Sequence, residues 1–189
     1  NKIFSLDISN NSANFEKLFK MIDKELPNLE VLNLSNNDLS DENYVILLAH
    51  YIQQSHQLKE LDLSGTNFFP DAIHDIIHHI AKNDYLTDFT LKLNSLGLHG
   101  RNSLALFRAF LSVRESADKK WRAIHLDSNQ IDGDDLLNLV PLFRQFPRLN
   151  TLSLSYNLDR SIENIEEILC KLQTISSIKN ITIAGDKDH

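Results

Sequence analysis

Seven times along the chain, apolar residues recur at the first, fourth and sixth places of a nine-residue phrase that closes on a ninth place, most often Asn. The phrases are Ile3–Leu6–Ile8–Asn11, Leu29–Leu32–Leu34–Asn37, Leu58–Leu61–Leu63–Thr66, Leu86–Phe89–Leu91–Asn94, Trp121–Ile124–Leu126–Asn129, Leu149–Leu152–Leu154–Asn157 and Ile178–Ile181–Ile183–Asp186. Side chains of a short strand alternate between faces, so the fourth and sixth places enter a core while those between them face out. At the ninth place the chain turns away and its backbone groups lose their strand partners. An Asn there supplies two donors and an acceptor to turn backbone of its own and the neighbouring coil. Each such group left buried and unpaired would cost roughly 1–3 kcal/mol. Thr66 can donate and accept, whereas an ionised Asp186 only accepts, which suits the end of a ladder near solvent.

Successive ninth places are 26, 29, 28, 35, 28 and 29 residues apart, and the intervals carry helical periodicity. After Asn37, Ser40 is an expected N-cap, and Val45, Leu48 and Ile52 form one apolar stripe. Pro70 suits a first helical turn ahead of Ile73, Ile76, Ile77 and Ile80. The same stripe returns at Leu18, Met21 and Ile22, at Leu104, Phe107 and Leu111, at Leu136, Leu139, Val140 and Phe143, and at Ile165, Ile168, Leu169 and Leu172. Pro27 and Pro147 stand two residues before a phrase, where proline stops a helix and favours an extended entry. Each unit therefore reads as strand, turn, helix and return loop. A crossover helix between consecutive strands makes the sheet parallel.

A helix is wider than a strand, so stacking these units bends the array, with strands inside and helices outside. With this phrase and helical intervals, the chain resembles the ribonuclease-inhibitor-like class of leucine-rich repeat proteins, whose units run to about 28–29 residues. The resemblance spans residues 3–186 and implies an α/β solenoid, a horseshoe arc with about seven parallel strands on the concave face and helices on the convex face. Its ladder residue is Asn where many members carry Cys. The expected organisation is one domain over residues 1–189, with seven strand units and six strand–helix repeats. Because it starts at Asn1 inside a repeat, the chain reads as a fragment of a longer one.

Composition narrows the setting. With 189 residues, 42% of them apolar, the chain can bury a large core spread along a solenoid. The lone cysteine, Cys170, permits no internal disulfide, reads as a small core side chain, and points to a cytoplasmic-type reducing compartment. No apolar run is long enough to be a membrane segment. A monomer is expected.

Function must lie in outward-facing positions. The third, fifth and seventh places put Asp7, Asn33, Glu60, Asp62, Asp88, Lys92, His125 and Asp127 on the strand face, and the eighth adds Tyr156. Carboxylates outnumber cations there, so the concave face should be acidic and its protein partner should carry a basic surface. Such attraction speeds encounter and weakens as salt rises. The competing reading is that strands facing water are polar because they must be, and Ser and Thr dominate these columns.

The long fourth interval concentrates Arg101, Arg108, Arg114, Lys119, Lys120 and Arg122 against Glu115 and Asp118, in a chain of formal net charge −7. Ser112–Lys120 is expected to lengthen the helix by a turn and then protrude as a basic loop, or simply to be a solvated face. Nucleic acid is not the expected partner, because the chain is acidic and no aromatic platform interleaves with these cations. His74 and His78 are four apart on a helix, yet flanking isoleucines turn them outward without a fixed third ligand, so no metal is expected. His125 and Asp127 share one face but have no identifiable nucleophile or phosphate-cradling loop, so neither catalysis nor a cofactor is expected.

These features read first as a non-enzymatic protein–protein interaction module using the strand face and adjoining loops. The Asn-, Ser- and Ile-rich wording is similar to that of leucine-rich repeat effectors that bacterial pathogens deliver into host cells, which would imply secretion into the host. A second resemblance is to the GTPase-activating protein for Ran, built on the same repeat, for which Asn36, Asn67 or Arg101 would be the candidate loop residues. A third reading is the sensor segment of a larger signalling protein.

Overall fold

The computed structural model describes residues 2–113, 120–157 and 165–185. Elements alternate along the chain: β1 (Ser5–Asp7), α1 (Phe15–Glu25), β2 (Val31–Asn33), α2 (Glu42–Gln54), β3 (Glu60–Asp62), α3 (Pro70–Lys82), β4 (Phe89–Lys92), α4 (Arg101–Ser112), β5 (Trp121–His125), α5 (Gly133–Leu139), β6 (Thr151–Ser153), α6 (Ile165–Gln173) and β7 (Asn180–Thr182). Seven strands pair in sequence order, each parallel to the next, in one open sheet. This is the α/β leucine-rich repeat solenoid expected from the phrase. One continuous apolar core lies between sheet and helices, with Leu32, Leu34, Leu61, Leu63, Ile124, Leu126, Leu152 and Leu154 all buried in it.

Three ninth-place asparagines act as the phrase requires. Asn37 Nδ2 donates to the Ile8 and Leu34 carbonyls, at 2.9 and 2.8 Å, while its Oδ1 accepts from Asn11 N–H at 2.7 Å. Asn129 and Asn157 repeat the pattern, Asn129 N–H donating to Asn157 Oδ1 at 2.8 Å. Thr66 serves its own coil, its hydroxyl donating to the Leu63 carbonyl at 2.6 Å.

The fourth phrase is displaced by two residues from the expected one. Leu91 pairs with Leu61 and Ile124, so it occupies the fourth place rather than the sixth. The ninth place is therefore Leu96, whose N–H donates to Asn129 Oδ1 at 2.7 Å, and Asn94 is a seventh-place residue on the strand face. Backbone conformation gives the same phase independently. Asn10, Asn36, Gly65, Ser95, Ser128 and Tyr156, all eighth places on this register, have φ between +52° and +65°. Leu93, expected at an eighth place, is instead a buried sixth-place residue. The intervals become 30 residues from Thr66 to Leu96 and 33 from Leu96 to Asn129, so the excess length is shared between two units. A register shift between Phe89 and Thr90 accommodates it, leaving Arg122 as the unpaired, exposed residue of β5.

Helix details also depart from the periodicity. Asp41, not Ser40, caps α2, its carboxylate accepting from Asn43 N–H at 2.8 Å. In α1, Phe15, Phe19 and Ile22 are buried while Met21 is exposed. In α4 the buried apolar residues are Leu106, Ala109 and Phe110, and Leu104 and Leu111 face out. Leu169 and Cys170 are exposed on α6, so the thiol is not a core group. The slips in burial have one cause: an apolar pattern wider than the buried stripe allows several helix rotations, and the neighbouring helices select one.

Lys120 is the largest departure in the fourth unit. It is buried, and its ammonium donates to the Asn83 carbonyl at the end of α3 instead of belonging to a protruding basic loop. Asn83 in turn donates to the Ile52 and Ser55 carbonyls at the end of α2, each at 2.7 Å. Two successive helix termini are thus satisfied by one polar relay, where the helix dipole also favours a cation. Burial holds the Lys120 ammonium below the usual lysine range, with Asp84 pulling the other way. α4 ends at Ser112. The Arg101 side chain, Arg114, Glu115, Asp118, Lys119 and Asp186 lie outside the described residues.

Candidate partner-binding face

On the observed register the outward columns are Ser5, Val31, Glu60, Thr90, Ala123, Thr151 and Asn180 at the third place, and Asp7, Asn33, Asp62, Lys92, His125, Ser153 and Thr182 at the fifth. The seventh place runs Ser9, Ser35, Ser64, Asn94, Asp127, Ser155 and Ala184. Asp88 drops out. It precedes β4 in a left-handed conformation, φ 52°, with Arg148 at 3.4 Å, so it does not share the strand-face columns.

Several polar side chains in these columns hold the turn together. Asp7, Asn33 and Asp62 each accept a hydrogen bond from the N–H two residues on, at 2.9, 3.0 and 2.9 Å. These are Asx turns, which close the chain as it leaves the strand. The Ser9 N–H is the main cause holding the exposed Asp7 carboxyl below its ordinary value.

From the fourth coil the device changes. Ser64 Oγ accepts from Asn94 N–H, Asn94 Oδ1 from Asp127 N–H, Asp127 Oδ1 from Ser155 N–H, and Ser155 Oγ from Ala184 N–H, at 3.2, 2.7, 2.7 and 3.0 Å. A second ladder therefore runs along the strand face, parallel to the asparagine ladder. Asp127 Oδ1 also accepts the Ser153 hydroxyl at 2.7 Å, so this carboxylate is committed to structure on one oxygen.

Charge on the face is consequently graded along the solenoid. Asp7, Glu60 and Asp62 lie in the first three coils, Lys92 in the fourth, and the sixth and seventh are neutral at these places. Lys92 pairs with Glu60 at 2.5 Å and is flanked in register by Asp62 and His125. Burial pushes the half-buried His125 imidazole below the ordinary histidine range, against the pull of Asp127, so it is neutral at pH 7. Among the described residues no three His, Cys, Asp or Glu side chains lie where they could hold one metal ion, and no helix is long and apolar enough to cross a membrane.

Tyr156 stands at an eighth place with φ +59° and 48% of its surface exposed. A bulky side chain in that conformation costs on the order of 1–3 kcal/mol. Equivalent positions carry Asn10 and Asn36, residues that tolerate it. Tyr156→Asn is expected to raise the thermal midpoint by about 2–4 °C, measured by circular dichroism. A fall would show that the phenol ring contributes more packing than its backbone costs.

No family model matches the chain. It is 29% identical over 143 residues to Protein CARMIL of Dictyostelium discoideum, covering 74% of this chain and 13% of that protein. The human Capping protein, Arp2/3 and myosin-I linker protein 3 is 25% identical over 167 residues, covering 84% of this chain and 12% of that one. Its Mus musculus counterpart is 24% identical over 196 residues, with 99% of this chain and 14% of that one covered. A solved structure of Leiomodin-1 Actin-Binding Site 2 superposes with a TM-score of 0.47 at 13% identity, covering 93% of this chain and 82% of that one. The chain thus spans 12–14% of the length of these curated relatives and is similar to one segment of each, the two mammalian ones being named as a linker of capping protein, Arp2/3 and myosin-I.

Proposed function

We propose that this chain is a non-enzymatic protein-binding segment of a linker that joins components such as capping protein, Arp2/3 or myosin-I, and that it engages a basic surface with the acidic first half of its strand face. The similarity of 84–99% of the chain to proteins named as linkers carries the reading. The face adds physical support: Asp7, Glu60 and Asp62 are arrayed in register, with Lys92 the one cation at these places in the first four coils. Asp127, Asn33 and His125 border that patch, and Tyr156 offers an exposed aromatic on the far side, the residue type that anchors interfaces. Delivery into a host cell and activation of a GTPase find no support among the relatives, which come from an amoeba and mammals.

The test is a binding titration of the immobilised chain with capping protein, Arp2/3 complex and a myosin-I, each alone and at two salt concentrations. A variant carrying Asp7→Asn, Glu60→Gln and Asp62→Asn removes three charges while keeping both Asx turns, as Asn33 shows an amide can do. At low salt it should bind at least about tenfold more weakly, with a smaller salt dependence. Equal binding by the variant would move the site off this face. Failure of all three proteins to bind the parent chain would sink the linker reading.

A further inference from the structure

One apolar feature lies on the helical side, away from the strand face. α4 has 12 residues, whereas α5 has 7 and passes into a 3-10 segment, Val140–Gln145. At 1.5 Å per residue, α5 is shorter than α4 by roughly 7 Å. Between them lies a cleft of about 110 Å³. Leu106, Ile131 and Leu139 form a buried floor, and Leu104 rises beside it with 50% of its surface exposed. Leu104 and Leu111 are exposed on α4, where the outer side of α3 carries His74, Asp75 and His78. The apolar row of the fourth interval thus survives as a surface, not as core.

The rim of the cleft carries Ser103, Asn138 and one carboxylate, Asp135. The Ser103 hydroxyl has one proton shared between two acceptors, the Gly100 carbonyl at 2.6 Å and Asp135 Oδ2 at 2.5 Å, which places that carboxylate at the rim. Asp135 is the one charged residue that lines the cleft among the described residues; Asp132, the N-cap of α5, Asp134 and Arg108 do not line it. A space of this size is comparable with cavities that accept one benzene-sized group. Ligand sites of this kind pair an apolar pocket with a few placed polar groups that set orientation.

We propose that the α4–α5 cleft is a second docking site, which takes a protein segment presenting one leucine-sized anchor beside a lysine or arginine. The anchor fills the floor over Leu106 and Ile131, and the cation meets the Asp135 carboxylate. Apolar burial supplies affinity, and the rim charge selects the sequence beside the anchor. The site is independent of the strand face and of the partner bound there.

The test is a methyl NMR titration of the full chain with acetyl-Gly-Leu-Lys-Gly-amide and its Leu-Glu and Ala-Lys counterparts. The Leu-Lys peptide should shift the methyl signals of Leu104, Leu106, Ile131 and Leu139, binding about two- to fivefold more tightly than the Leu-Glu peptide, as expected for one exposed charge pair. The Ala-Lys peptide should leave them unmoved. Asp135→Asn should erase the preference for Lys over Glu, and Asn138→Trp, which projects an indole over the mouth from an exposed rim position, should abolish the shifts. Shifts spread elsewhere, no shifts at tens of millimolar, or equal binding of the Leu-Lys and Leu-Glu peptides would each overturn the proposal. If Asn138→Trp fails to fold, the Asp135→Asn comparison decides alone. Loss of strand-face binding in the triple variant described above would leave these peptide shifts unchanged.

Discussion

Asn157→Ala is expected to lower the unfolding free energy by roughly 3–5 kcal/mol, and Asn94→Ala by about 1 kcal/mol. Asn157 is buried, with Oδ1 accepting from the N–H groups of Asn129 and Ile131 and Nδ2 donating to the Leu126 and Leu154 carbonyls. Truncation leaves several buried backbone groups unpaired in two coils at once. Asn94 sits half-buried on the strand face, where its side chain accepts from Asp127 N–H. Water can replace that bond. Urea unfolding followed by circular dichroism separates the two variants. Equal losses would mean that Asn94 is a ladder residue and that the register of the fourth strand is wrong by two residues.

Trp121→Ala should cost about 3–5 kcal/mol, near the top of the range for a core deletion. The indole is fully buried and meets Phe89 and Phe110 edge-on, with ring centroids 6.4 and 5.8 Å away, and lies 6.1 Å from Phe146. This cluster packs where the register shifts, so it joins two units of unequal length. Trp121→Phe should cost much less, about 1–2 kcal/mol, because the indole N–H has no hydrogen-bond partner among the described residues to lose. The same urea experiment reads both. A phenylalanine variant as unstable as the alanine one would show that the N–H is satisfied in solution by a group such as a bound water.

The strand face was partly readable in advance. Asp7, Asn33, Glu60, Asp62, Lys92, His125 and Asp127 occupy outward places, because alternation along a strand needs only correct phase. Phase is what misplaced Asp88 and Asn94. Residues 86–94 fit the consensus phrase, while Asp88–Leu91–Leu93–Leu96 fits it less well and is the one that pairs. Both phases put Leu91 inside, so hydrophobic patterning could not separate them. A usable signal was the eighth place, where Asn, Gly or Ser suits a left-handed turn and Leu93 does not.

Burial on the helices had a similar limit. Val45, Leu48 and Ile52 on α2 lie where periodicity placed them, although Ile46 and Leu47 also offered apolar positions; Ile46 is the one left exposed. α4 offers Leu104, Leu106, Phe107, Phe110 and Leu111, enough for two rotations, and the inward one follows from contact with Trp121, Phe143 and Phe146. Those residues come from units further along the chain.

What the sequence alone determined is the repeating unit: strand, turn and helix in parallel order, with asparagines closing the coils, because each depends on residues within about thirty positions of one another. Tertiary structure decided the register of β4, the burial of Lys120 against the end of α3, the second ladder through Ser64, Asn94, Asp127 and Ser155, and the cleft beside α5. Each of these arises between neighbouring coils. Their hydrogen bonds and packing are made only once the coils have stacked, so no single phrase encodes them.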